Sequence, residues 1–301
     1  MKNIESKPYV VSADTRGLLN NWAREKNLTL PSDDYFQGML KDLEITLGEY
    51  FDEVNIVPED FLRKRINSLI ANSPLPVVSL DRAYVDPNQN NLVGFLDATR
   101  TVDQNLANTG LGSRALQLSL NRQMDMLVNK LPSRVITLVD DVIFEGKTIL
   151  QLANDFRKKG VIVDTILSGI TIKEGQDLLE SNKLQVKSVL LYDQVVDEIC
   201  ERDFIVGAPY SGRSVINGNE VIEGAPYLYP FGKPVEWASI PADQAKDFSF
   251  FCLYQALQFW TKTEQLNGRS IATQELAKPV FNLPESSSLK VALSEAVKGI
   301  K

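Results

Sequence analysis

The stretch Val135-Ile-Thr-Leu-Val139-Asp140-Asp141, continuing through Val-Ile-Phe-Glu to Gly146-Lys147-Thr148, constrains this chain more than any other. Five mostly β-branched residues run straight into two adjacent carboxylates. A short loop with one glycine follows, and then a helix with Ile149, Leu152, Ala153 and Phe156 on one face. An unbroken apolar run of this length fits a strand buried on both faces, as in parallel α/β sheets. At the carboxyl end of such a strand, acids can accept sugar hydroxyls and the loop amides at a helix N-terminus can take a phosphate.

The neighbouring segments supply the rest of that sheet. Val77-Val78-Ser79-Leu80 reads as a short buried strand after the Ser73-Pro-Leu-Pro76 break, and a polar, exposed loop follows at 86–91. Residues 113–130 read as a helix with Leu116, Leu120, Met124, Leu127 and Val128 as its apolar stripe. The helix after Thr148 closes on Lys158-Lys159-Gly160. Val161 to Leu167 is a further strand, far enough from the strand at 135–139 for a βαβ crossover. A helix near 174–182 and a strand at 187–192 complete the repeat. The expected fold is α/β, with a Rossmann-like parallel core over 73–215 and helical extensions at 1–72 and 216–301.

In the N-terminal extension, helices are expected after Ser32-Asp33-Asp34 and after Pro58-Glu59-Asp60. In the C-terminal one, 215–222 reads as a hairpin with a type I′ turn. An aromatic irregular segment spans 224–232, a long helix 241–266, and a short helix ends the chain.

Composition excludes several chemistries. The chain has 301 residues and no histidine, which removes Ser-His-Asp and Cys-His systems, histidine general bases and histidine metal sites. A net charge of −7 argues against a broad nucleic-acid footprint. Cys200 and Cys252 show no metal-ligand spacing and fit a reducing compartment. Neither a spanning segment nor a signal peptide is legible, so a cytoplasmic protein is expected.

Adjacent carboxylates point to opposite sides of an extended chain, but where the backbone turns both can reach one vicinal diol. The plain alternative is that one acid caps the next helix and the other is solvated. The segment resembles the ribose-5-phosphate signature of the type I phosphoribosyltransferases, and Asp141-Val-Ile-Phe-Glu-Gly146-Lys147-Thr148 is closest to the hypoxanthine-guanine branch. The resemblance implies that Asp140 and Asp141 are the catalytic carboxylates and hold the ribose of phosphoribosyl pyrophosphate. It implies that Phe144, Glu145, Gly146, Lys147 and Thr148 wrap the 5-phosphate, and that Mg²⁺ arrives with the substrate rather than in a protein cage. Phe144 stands where that branch has its general-base Asp, and Glu145 where it has Thr or Ser.

Two shorter motifs extend the likeness. Val78-Ser79-Leu80-Asp81-Arg82 resembles the pyrophosphate loop, which assigns Leu80, Asp81 and Arg82 to the diphosphate. Asp203-Phe204-Ile-Val206-Gly207 resembles the base-stacking segment, giving Phe204 and Val206 to the base, and Arg213 after it to pyrophosphate. A surface ion pair at Arg82, a purely packing role for Phe204 and a surface position for Arg213 are the alternatives.

The expected function is transfer of a phosphoribosyl group to or from a nitrogenous base, by a homo-oligomer, with phosphoribosyl pyrophosphate or a nucleoside 5′-monophosphate as the small-molecule ligand. The alternative is a catalytically altered nucleotide sensor acting through a protein partner. A P-loop nucleoside triphosphatase is a second alternative, but Asp141 stands where that motif needs its first glycine.

Overall fold

The computed structural model describes residues 7–218 and 220–300. Strands β1 (Tyr9–Ser12), β2 (Val54–Val57), β3 (Val77–Ser79), β4 (Leu92–Phe95), β5 (Ala98–Val102) and β6 (Asn108–Ser113) lie in the first part of the chain. β7 (Val135–Ile143), β8 (Ile162–Ile172), β9 (Gln185–Tyr192), β10 (Asp197–Cys200), β11 (Arg213–Asn217) and β12 (Glu220–Ala225) follow. Helices are α1 (Thr15–Glu25), α2 (Asp33–Gly48), α3 (Glu59–Ala71), α4 (Leu120–Lys130), α5 (Lys147–Lys158), α6 (Lys173–Ser181), α7 (Pro234–Trp237), α8 (Ala245–Asn267) and α9 (Leu289–Ile300).

The expected parallel sheet is present. It has five strands in the order β4-β3-β7-β8-β9, all parallel. Side chains of successive β7 residues go to opposite faces. Ile136 and Leu138 pack with Ile149, Leu152 and Phe156 of α5, whereas Val139 packs with Leu62, Ile66 and Ile70 of α3. A helix of the N-terminal segment thus covers one face of the sheet. β7 is longer than its apolar run, and the diacid lies inside it, with Asp140 paired to Ser168 of β8.

Two further sheets frame the sheet's carboxyl edge. β10, β1 and β2 form a parallel three-stranded sheet in the order β10-β1-β2. β12, β11, β5 and β6 form a four-stranded one in that order. The first corrects the reading of 1–72 as helical. α1, α2 and α3 are there, but Tyr9-Val-Val-Ser and Val-Asn-Ile-Val are strands. Four-residue runs carry no period of their own, and the pairing of β1 with the distant β10 and of β2 with β1 decides their form. The helix expected over 113–130 begins only at Leu120, and Leu116 is exposed with a left-handed backbone (φ 64°). Residues 92–113, which show little apolar periodicity, make three strands instead.

The two ends of the chain share one core. Tyr9, Leu19, Phe36 and Leu43 pack with Phe248, Phe259, Trp260 and Leu293, and Phe204 sits among them. The hairpin at 215–222 forms with Gly218 left-handed, and its turn type falls on Asn219, outside the described residues. Among the described residues no helix is long and apolar enough to cross a membrane.

Because both ends build one core, they should unfold together. Phe248→Ala, which empties a buried site beside Phe204 at 4.9 Å between ring centroids, is expected to cost about 3–5 kcal/mol. Urea denaturation followed by circular dichroism and by tryptophan fluorescence should give one coincident, shifted transition. Separate transitions would contradict a shared core.

Candidate functional site

The carboxyl end of β7, the loop 144–146 and the first turn of α5 open into a cleft of about 560 Å³. Its opposite walls come from β5, β10, the turn at 201–204 and the segment around α7. Gly146 caps α5 in the left-handed conformation (φ 75°), and a Cβ there would lie 2.9 Å from the carbonyl oxygen of Gly175. Only glycine fits that turn without displacing α6. The free amides of the first α5 turn carry the positive end of the helix dipole.

The two acids do not have the same surroundings. Asp141 accepts the Val142 N–H at 2.9 Å, an Arg202 guanidinium N–H at 2.8 Å and the Cys200 thiol at 3.5 Å. It also has a hydrogen bond with the Asp140 carboxyl. An ionised carboxylate offers about four acceptor positions, so Asp141 is fully engaged. Burial pushes its pKa up, but Arg202 outweighs burial and the group lies below the ordinary carboxylate value. Asp140 goes the other way. Burial, then the neighbouring charge of Asp141, raises it well above the ordinary value. The two adjacent acids therefore differ: Asp141 is engaged by Arg202, Cys200 and Val142, whereas Asp140 accepts the Asp141 N–H at 3.1 Å and bonds the Asp141 carboxyl.

Arg202 is itself 94% buried, 6% of its surface being exposed, and it also pairs with buried Asp14 ahead of α1. Its Nε has no partner among the described residues.

The other assigned residues divide. Gly146, Lys147, Thr148, Phe144 and Glu145 all line the cleft. Glu145 turns to solvent and pairs with Lys147 at 2.9 Å, so the lysine meets its own loop's acid. Arg213 lines the cleft too. It is buried, with its guanidinium 4.5 Å from the Trp237 ring and 5.8 Å from Tyr227, and its Nε has no hydrogen-bond partner among the described residues.

The pyrophosphate loop is not built as expected. The Leu80 N–H is taken by the Val139 carbonyl and the Asp81 N–H by the Ser79 hydroxyl. The Asp81 carboxylate accepts the N–H groups of Ala83, Tyr84 and Val85, which folds the loop onto itself and spends the amides a diphosphate would need. Burial and the nearby Asp141 raise its pKa to about 6. Arg82 makes a two-pronged pair with Asp97 at 2.6 and 2.8 Å and faces a different cavity.

Phe204 and Val206 are corrected as well. Both are buried in the core shared by the chain ends and do not line the cleft. Phe204 packs edge-on against Phe248, and the Val206 carbonyl accepts the Trp260 indole N–H at 2.8 Å. The sequence also missed Arg100, Arg114 and Asp197, which line the cleft. Arg100 and Asp197 sit on short strands with no apolar signature. Arg202 lay in view, two residues before Phe204, without a motif to mark it.

No protein-family model matches the chain, and no curated protein does. Solved structures do align with part of it. An orotate phosphoribosyltransferase from Aeropyrum pernix is 18% identical over 44% of this chain and 68% of that one, with a TM-score of 0.28. The APRTase of Giardia lamblia, complexed with 9-deazaadenine, is 16% identical over 45% and 80%, with a TM-score of 0.32. The UMP synthase of Leishmania donovani is 12% identical over 46% and 28%, with a TM-score of 0.30. At these scores the reading of the cleft rests on its own geometry.

The buried acids around Arg202 predict a pH dependence. Burial raises Glu201, which accepts the N–H groups of Asp14 and Thr15, from 4.5 to about 7. The folded state holds this proton more tightly than the unfolded one. The stability it confers is therefore complete below about pH 4.5 and is lost as pH rises through about 7. Glu201→Gln keeps the accepting oxygen and removes the ionisation. It should flatten the fall in unfolding free energy between pH 5 and 8, by about 3 kcal/mol at roughly 1.4 kcal/mol per pKa unit, and the fall in Tm with it. An unchanged slope in the variant would show that Glu201 titrates normally.

Proposed function

We propose that this chain binds a phosphorylated ribose, as phosphoribosyl pyrophosphate or a nucleoside 5′-monophosphate, and transfers the phosphoribosyl group to or from a nitrogenous base. One observation carries the reading. A pair of adjacent carboxyls, a glycine-capped helix N-terminus and four arginines converge on one cleft at the carboxyl edge of a parallel sheet.

In this reading the amides of 145–148 take the 5-phosphate, and Asp140 meets the ribose hydroxyls while Asp141 and Arg202 fix its position. Arg100, Arg114 and Arg213 have no carboxylate within ion-pair distance among the described residues, so they are available to a diphosphate. The ribose C1–oxygen bond breaks with its electron pair leaving on pyrophosphate, a ring nitrogen forms the new bond to C1, and its proton passes to solvent. Positioning supplies most of the acceleration, and the arginines answer charge on the departing oxygens. Mg²⁺ takes oxygen ligands, which the ligand's own phosphates supply, and when bound it would neutralise the leaving group.

A second reading, a nucleotide sensor built on the same site, is favoured by two specific features. Asp141 is saturated by internal bonds, and Lys147 is paired to Glu145 instead of standing free over the loop.

Mg²⁺ with phosphoribosyl pyrophosphate, or a nucleoside monophosphate, should stabilise the protein by about 2.7 kcal/mol at 100 times the dissociation constant. Asp140→Asn should weaken that binding at least tenfold without lowering Tm in the absence of ligand. A Tm that does not move at millimolar ligand would overturn the site. Pyrophosphate release over a panel of bases then decides the function: turnover supports transfer, and binding without turnover supports the sensor.

A further inference from the structure

On the far side of Arg114 and Tyr210 lies a second cavity, larger than the first at about 880 Å³. It is bounded by α1, α3, the loop 82–88 and the segment 277–278. Nothing in the transfer reading uses it, although Arg114 and Tyr210 line both spaces.

Its walls are positive. Arg24 and Lys64 stand exposed at the rim, and Arg114 and Lys278 lie deeper. Arg63 and Arg82 also line it, but they are already paired to Glu59 and Asp97. Among the described residues none of the other four has an ion-pair partner. The acids that share the lining are Glu25, Asp60 and Asp86, and Asp60 is taken by Arg16. Lys278 donates to the Ser211 carbonyl, and the charged groups facing it are Arg114, Asp203 and Arg202. Burial and then Arg114 hold its pKa down to about 7. Half of its charge is therefore suppressed at neutral pH, and an anion beside it would restore that charge.

The cavity also has flat surfaces. Tyr210 is held with a left-handed backbone (φ 61°), and the Arg114 guanidinium lies 5.6 Å from its ring while donating to its carbonyl at 3.1 Å. Arg82 lies 4.4 Å over Phe95. Stacked guanidinium planes and aromatic faces are platforms for a nucleobase. A space of this volume suits a ligand far larger than a base alone. Cations spread from rim to floor suit a chain of phosphates better than a single one.

We infer that this second cavity binds a nucleoside di- or triphosphate, with its phosphates on Lys278, Arg24 and Lys64, at a site that meets the cleft of Asp140 only at Arg114 and Tyr210. The inference does not depend on the transfer reading.

Isothermal titration with ATP and with GTP, using inorganic triphosphate as the control, tests it on three proteins. The first is the unmodified chain, and the second is Arg24→Glu plus Lys64→Glu, whose exposed positions spare the fold. The third is Asp140→Asn. The nucleotide should bind the unmodified chain and Asp140→Asn equally and the rim variant at least tenfold more weakly. In buffers of differing ionisation enthalpy near pH 7.5, binding should take up protons, and Lys278→Met should abolish the uptake. No nucleotide binding to the unmodified chain would overturn the proposal. So would a loss confined to Asp140→Asn, which places the ligand in the other cleft. Triphosphate alone binding as tightly as ATP would overturn the assignment to a nucleoside.

Discussion

The buried Arg202 holds the site together. Its guanidinium lies between Asp14, from the N-terminal segment, and Asp141, from the central strand of the parallel sheet. Breaking such a buried pair from one side leaves an uncompensated charge, at a cost of about 3–5 kcal/mol. The three residues come from three separate stretches of chain, so the bridge fixes β7 against α1 and the turn at 201–204. It also sets the two carboxylates apart: Arg202 holds Asp141 below the ordinary carboxylate value, while burial and the neighbouring Asp141 raise Asp140 above it. The difference between two adjacent acids is a consequence of burial and one cation, not of the residues' chemistry.

Charge is distributed against the average of the chain. The molecule carries a net −7, yet arginines from β5, the segment after β6, the turn at 201–204 and β11 converge on the space in front of the phosphate loop. Two of them, Arg202 and Arg213, are more than nine-tenths buried. Cations are kept out of water in this way only where other charges or aromatic faces meet them. Arg202 has its acids, whereas Arg213 has only Trp237 and Tyr227. The cleft is thus set up to receive negative charge.

The sheet was legible because its inner strands β3, β7 and β8 are largely buried on both faces and announce themselves as apolar runs, while the half-exposed edge strand β9 still carries Val189, Leu190 and Leu191 in a row. The loop at 144–148 was legible because Gly146 must turn left-handed to start α5. What failed was local. β1 and β2 are too short to carry a period; β2 pairs with β1, and the other partner of β1 is β10, far along the chain, as in the Tyr9–Asp197 pair. The same limit hid Arg100, on β5 of the four-stranded sheet, and Arg114, just after β6. Motif likeness misled at Phe204 and at Leu80-Asp81 for one reason. A short string says which residues are present but not whether their side chains and amides are already used, and here the core and the turn had used them.

The central claim is that the loop amides and Asp140 form a single phosphoribosyl site. A crystal structure of the protein with Mg²⁺ and a nucleoside 5′-monophosphate tests it directly. The phosphate is expected within hydrogen-bond distance of the amides of 145–148 and a ribose hydroxyl on Asp140, with the Arg202–Asp141 pair intact. A ligand seated elsewhere, or one whose ribose contacts Asp141 while Arg202 has swung away, would contradict the account.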